Sequence, residues 1–185
     1  MRIEDVMTRR VVACRTDTDL AHVARLMWEN DCGAVPVVDA EDHVIGIVTD
    51  RDVCMSAHFQ GKALRELKAA ACMASPVATC RPGDSCTDVV SVMSERRVRR
   101  VPVTDEGGRL LGLVSMGDLF HAAQGGEKNK KSLQSLLLDA LTRITGRPSR
   151  DEVAAPLPVK KGAKSNADAA PKEAKESAKK RAPKS

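Results

Sequence analysis

Apolar and polar positions over residues 1–124 follow two alternating periods, and the switches between them mark the elements. Val11-Val12-Ala13 is a short apolar run that reads as a strand. Residues 16–19 then offer capping oxygens. Leu20, Val23, Ala24, Leu26 and Met27 follow at the spacing of one buried helical face. Gly33 comes soon after, where a glycine can stop a helix or let the backbone come close to a base or phosphate. Two β-branched runs, residues 34–38 and 44–49, flank the turn-forming Asp39-Ala40-Glu41-Asp42, which is a hairpin pattern. A second helix opens at Thr49 or Asp50 and runs toward His58. The predicted unit is β-α-β-β-α, led in by a turn or short helix over residues 3–8.

The same unit then returns. Shifting the chain by sixty-six residues lays 7–53 on 73–119 without a gap. Met7 falls on Met73, Cys14-Arg15 on Cys80-Arg81, Val35-Pro36-Val37 on Val101-Pro102-Val103, Gly46 on Gly112 and Asp52 on Asp118. Pro and Gly make special backbone demands, so their coincidence argues for true repetition. The second copy predicts a strand at 77–79, a helix from Asp84 or Ser85 through Met93, strands at 101–104 and 110–115, and a helix over 116–123. Two copies of one unit are expected to pack about a pseudo-twofold axis. The expected organisation is repeat 1 at 1–60, a helical connector at 61–71, repeat 2 at 72–124, a linker with an amphipathic helix at 125–146, and a tail at 147–185. In that last helix, predicted over 132–145, Leu133, Leu136, Leu137, Ala140, Leu141 and Ile144 share one face, which is expected to dock on the module or on a twin chain.

Composition adds limits. Aromatics are 2% of the chain, with no Tyr, so the core has to be aliphatic. The net charge of +5 resides in the tail: residues 147–185 hold eleven basic and five acidic side chains, and the remainder balances at −1. The tail is rich in Lys, Ala, Pro and Ser, with too little apolar surface to offset its ordering entropy, and is expected to be disordered. Such a tail can hold nucleic acid non-specifically or can simply solubilise, and both readings stay open. The six Cys form no Cys-x-x-Cys pair and the four His form no ligand cluster, so no metal is expected. Cys14, Cys80 and Cys86 read as small core residues. The charged start, Met1-Arg2-Ile3-Glu4-Asp5, lacks a signal-peptide pattern, and no apolar run suits a membrane span. A cytoplasmic chain with reduced thiols is expected. No nucleophilic triad, paired-carboxylate site or Gly-x-x-x-x-Gly-Lys loop is found, so no catalysis is expected.

The chemistry-bearing positions recur with the repeat. Thr49-Asp50-Arg51-Asp52 and Ser115-Met116-Gly117-Asp118 each put a hydroxyl at a helix start with a carboxylate three residues on. That is a capping box. The same geometry offers backbone N–H groups and a hydroxyl to a phosphate, and a carboxylate to ribose hydroxyls. Arg96-Arg97-Val98-Arg99-Arg100 is either a solvated helix exit or the rim of an anion site. Arg99 replaces Gly33 in the second copy, so two clefts built by this repeat are not equivalent.

This order of elements, with its Gly-apolar-x-Pro and Ser/Thr-x-x-Asp motifs, resembles the cystathionine-β-synthase (CBS) domain family. Two repeats in tandem look like a Bateman module. The resemblance implies an α/β disc with up to two ligand clefts, no required cofactor, and adenosine-based ligands: AMP, ADP or ATP, less often S-adenosylmethionine or NAD. It also implies homodimers and a regulatory role toward a separate partner protein. Carried residue by residue, it assigns ligand contact to Gly33, Ala34, Val35, Pro36, Thr49, Asp50, Arg51 and Asp52. In the second copy it assigns Arg99, Arg100, Val101, Pro102, Ser115 and Asp118. Thr49 and Asp52 are expected at the better site, and Ser115 and Asp118 at the second.

Overall fold

A computed structural model describes residues 1–124 and 128–146. The expected disorder and polyanion contact of the tail lie outside the described residues. Asp19 caps helix α1 (Leu20–Glu29) by accepting from the His22 N–H, and Leu20, Val23 and Met27 face the core. Burying each such side chain contributes about 1.5–3 kcal/mol. Strands β1 (Ala34–Val38) and β2 (Val44–Thr49) form an antiparallel hairpin, followed by α2 (Asp50–Gln60). The second copy supplies α3 (Cys86–Arg96), β3 (Arg100–Thr104), β4 (Leu110–Ser115) and α4 (Met116–Ala122). Both hairpins shift register at the same place, Val37/Val38 and Val103/Thr104. This α/β pair of repeats is the expected fold class.

The repeats are joined by exchanged arms. In the first arm, Ile3 N–H donates to Asp84 O and Glu4 N–H to Pro82 O; in the second, Ala69 N–H donates to Thr18 O and Ala70 N–H to Thr16 O. These bonds are related by the sixty-six-residue shift. Thr8 pairs with Leu113 of β4, and Ala74 with Ile47 of β2, each through two backbone bonds of 2.9–3.2 Å. Ile3 and Met7 are thereby buried in the second repeat's core, while Leu67, Ala69 and Met73 pack in the first. Each repeat's lead-in closes the other repeat's core.

That exchange explains two departures from expectation. Residues 11–13 and 77–79 form no strand; only Cys14 and Cys80 make single parallel bridges, to Val37 and Val103. The first segment leaves β4 at Thr8 and reaches β1 at Cys14, so it crosses between hairpins and cannot run along either. The connector over 61–71 is two 3-10 turns, Leu64–Glu66 and Ala69–Ala71, not one helix. Its backbone groups are taken by residues 16–20, including Leu20 N–H to Leu67 O at 2.9 Å.

The last helix, α5 (Lys128–Thr145), begins before the expected Ser132. Leu133, Leu137 and Ala140 bury against the second repeat's core, with Leu141 and Ile144 partly covered, so α5 docks on its own module. Leu136, expected on the packed face, is exposed. Among the described residues no helix is long and apolar enough to cross a membrane.

Candidate functional site

The ends of β4 and α1 meet across the repeats. β4 ends at Ser115, whose hydroxyl donates to Asp118 Oδ2 at 2.7 Å; the Ser115 N–H donates to the same oxygen at 2.8 Å. The Asp118 N–H returns a bond to Ser115 Oγ at 3.1 Å. The box therefore occupies Oδ2 and leaves Oδ1 for an incoming hydroxyl. Beside it lies a cavity of about 340 Å³. It is lined by Leu113, Ser115 and Asp118 with Arg100, the strand partner of Ser115, by Thr8, Arg10 and Val11 of the crossing segment, and by Cys32, Gly33 and Ala34 of the first repeat. This size suits a ligand of nucleoside dimensions.

Gly33 is not the helix stop its position suggested. The left-handed residue after α1 is Asp31, φ 47°, matched by Arg97, φ 53°, after α3. Gly33 matters for space: a Cβ there would sit 3.0 Å from Arg100 Nη2 and 3.1 Å from Asp50 Oδ2. A cation and a carboxylate thus close over bare backbone. Arg100 and Gly33 also belong to an adjoining groove of about 470 Å³, bordered by Trp28, Asp31, Asp50 and Val53.

The remaining expected residues are distributed as follows. Thr49 and Asp52 build the same box at the start of α2: Thr49 Oγ1 donates to Asp52 Oδ2 at 2.7 Å and the Thr49 N–H at 2.9 Å. They do not border either cavity described above. The sixty-six-residue shift sets Arg99 and Arg100 at the places of Gly33 and Ala34. Arg51 and Arg99 are exposed, and the Arg99 carbonyl accepts from Met116 N–H at 2.9 Å. Val35, Pro36, Val101 and Pro102 are buried in β1 and β3. Their role is support: Pro36 and Pro102 carbonyls accept from Cys14 and Cys80 N–H, both at 3.0 Å, fixing the strands that end in the site.

Thr8, Arg10, Asp31 and Cys32 line the cleft without having been singled out. Arg10 aligns with Pro76 and Asp31 with Arg97, so the repeat gives no signal for them. The structure also gathers Asp39, Glu41 and His43, whose donor atoms lie within 4.8 Å of one another. Asp39 Oδ1 accepts from the Glu41 and His43 N–H groups and Oδ2 contacts His43 Nδ1 at 3.1 Å, which accounts for the trio as the stitching of the β1–β2 turn.

Known proteins agree with this architecture. The CBS domain model matches residues 3–57 and 65–125, and the chain belongs to the CBS domain family. Inosine-5'-monophosphate dehydrogenase of Mycobacterium tuberculosis is 30% identical over 145 residues, 78% of this chain but 26% of that enzyme. The chain therefore spans about a quarter of that relative's length. Hypoxic Response Protein I, solved with two coordinated zinc ions, superposes with a TM-score of 0.60 at 28% identity, over 68% of this chain and 100% of that one. CBSX2 in complex with AMP gives 0.58 at 22% identity, over 66% and 95%, and bears on the fold alone.

Proposed function

We propose that this CBS pair is a non-catalytic regulatory module that senses an adenosine-containing nucleotide, and that the Ser115–Asp118 cleft is its principal site. The observation that carries this reading is the meeting of Asp118, bare Gly33 backbone and the Arg100 guanidinium around one cavity of about 340 Å³. Asp118 Oδ1 accepts from the ribose hydroxyls, Gly33 leaves the room in which Arg100 reaches the cavity, and Arg100 with Arg10 supplies charge to the phosphate. This reading puts Ser115–Asp118 ahead of Thr49–Asp52 on the strength of the cavity that Gly33 and Ser115 share. Since the cleft is walled by Thr8, Arg10 and Val11 as well as by both repeats, a bound nucleotide favours one placement of the repeats and changes what the module presents to its partner protein.

The second reading is a nucleotide-free interaction protein in which both motifs only cap helices. The completed boxes at Thr49–Asp52 and Ser115–Asp118 favour it. Thermal unfolding of the full chain with AMP, ADP and ATP separates the two. A ligand at one hundred times its dissociation constant stabilises the fold by about 2.7 kcal/mol. Asp118→Asn is expected to abolish that shift and Asp52→Asn to leave most of it. No shift with millimolar AMP, ADP or ATP returns the motifs to capping alone.

A further inference from the structure

α5 gives the second repeat a cover that the first repeat lacks. Leu133 meets the start of α3 at Cys86 and Thr87, while Leu136, Ala140 and Arg143 lie along Val90, Ser94 and Glu95, so α5 and α3 run in the same direction. Leu137 and Ala140 are buried there in one cluster with Met116 and Leu119 of α4. The sixty-six-residue shift lays Val90, Ser94, Met116 and Leu119 on Ala24, Trp28, Asp50 and Val53. Those four border the groove of about 470 Å³ that adjoins the cleft. The groove is therefore the place that α5 fills in the other repeat.

Half of that place is already taken. The Leu64–Glu66 turn packs on α1, and Leu67 O accepts from the Leu20 N–H, which covers the start of α1 as Leu133 covers the start of α3. Among the described residues none stands over the other half, where Trp28 is 87% exposed. A tryptophan beside the apolar Ala24, Met27 and Val53 has the make-up of a binding hot spot. The end of the groove carries Asp31, Asp50 and Arg100. A helix lying in the direction of α5 brings its C-terminus to that end. Its free carbonyls then face Arg100, and a basic side chain of its last turn faces the two carboxylates.

We propose that the Trp28 groove is a docking seat for two turns of an amphipathic helix from a separate protein, with apolar residues at i, i+3, i+4 and i+7 and a basic residue in the last turn. Leu137, Ala140, Leu141 and Ile144 of α5 have that spacing, and Arg143 lies in its last turn. A second copy cannot lend its α5 without uncovering its own Met116 and Leu119. The seat rests on packing alone and stands whether or not the inner cleft binds a nucleotide.

The test is Trp28 fluorescence of the full chain titrated with a synthetic peptide of residues 128–146, which has the required spacing and no Trp. Seating is expected to shift the emission to the blue and to saturate. Trp28→Ala, at an exposed position, is expected to weaken a labelled peptide about tenfold in anisotropy, with the circular dichroism of the fold unchanged. A peptide carrying both Leu137→Asp and Leu141→Asp is expected not to bind. The seat is overturned if millimolar peptide leaves the emission unmoved, if Trp28→Ala binds as tightly, or if the doubly substituted peptide binds as well. It is also overturned, in favour of a second copy, if concentrating the chain alone shifts the emission to the blue and light scattering shows a dimer that Trp28→Ala dissolves. In each of those cases AMP stabilisation that is lost in Asp118→Asn leaves the inner site standing.

Discussion

Gly46 and Gly112 are glycines for the sake of the exchanged arms. A Cβ on Gly46 would lie 2.7 Å from Met73 Sδ and 3.2 Å from Ala74 O; one on Gly112 would lie 2.7 Å from Thr8 O and 3.2 Å from Met7 Sδ. A thioether swings aside, whereas the Thr8 carbonyl is held in its bridge to Leu113. Alanine is therefore expected to cost about 1 kcal/mol at Gly46 and about 2–3 kcal/mol at Gly112 in urea unfolding, the range of overpacked sites. Equal costs would contradict this account. The thiols give a second contrast. Burial pushes Cys14 up to about 11, with Cys72 adding to it, and Cys80 up to about 12, with Asp84 and Cys86 adding. In the folded chain Cys54, which is exposed, is expected to be alkylated first. Labelling of Cys14 and Cys80 is expected to stay slow to about pH 10, as followed by mass spectrometry. The unfolded thiols ionise near 9.0 and the folded ones higher, so the neutral folded form is favoured below that value. The corresponding stability is lost as pH rises from about 9 toward about 11. Melting temperature measured across that window reads the loss.

At the scale of elements, the hairpins were the most legible part of the chain. Ala34–Val38, Val44–Thr49 and Leu110–Ser115 have the bounds their β-branched runs and turn residues predict. Local pattern sufficed because each strand pairs with its sequence neighbour. It failed where the partner lies far along the chain: 11–13 and 77–79 look like strands, yet they bridge between sheets, and 61–71 looks helical while its backbone bonds go to 16–20. The site divides in the same way. Ser115 and Asp118 are marked by the repeat and by the resemblance, Gly33 and Arg100 by the resemblance, and all four line one cavity. Which hydroxyl–carboxylate pair faces Gly33 depends on how the repeats meet, and Arg10 and Asp31 are reached only through that meeting. α5 starts earlier than expected because Lys128, Lys130 and Lys131 are good helix formers ahead of the first buried leucine.

Across the whole molecule, the two arms make the repeats mutually dependent. Ile3 is fully buried in the second repeat's core, and Met7 packs there beneath Gly112. A chain lacking residues 1–8 is expected to lose protection from amide hydrogen exchange chiefly in α3, β3, β4 and α4, although the deletion lies next to repeat 1. Met7→Ala is expected to do the same more mildly, at about 2–4 kcal/mol. Losses confined to α1, β1, β2 and α2 would mean that each arm supports its own repeat. The covering of the second core also explains the uneven surface of the pair. α5 seals the α3–α4 face, while the α1–α2 face keeps Trp28 and Phe59 in the open.

The arms also order events during synthesis. Everything the first core needs, through Met73, leaves the ribosome in one stretch, whereas Ile3 and Met7 meet their partners only once β4 and then Ala140 have been made. At about 5–20 residues per second that is a wait of several seconds or more. Ile3 and Met7, made before the rest of their core, are among the last of the module's residues to be seated, and an apolar segment stays open to chaperones throughout that interval.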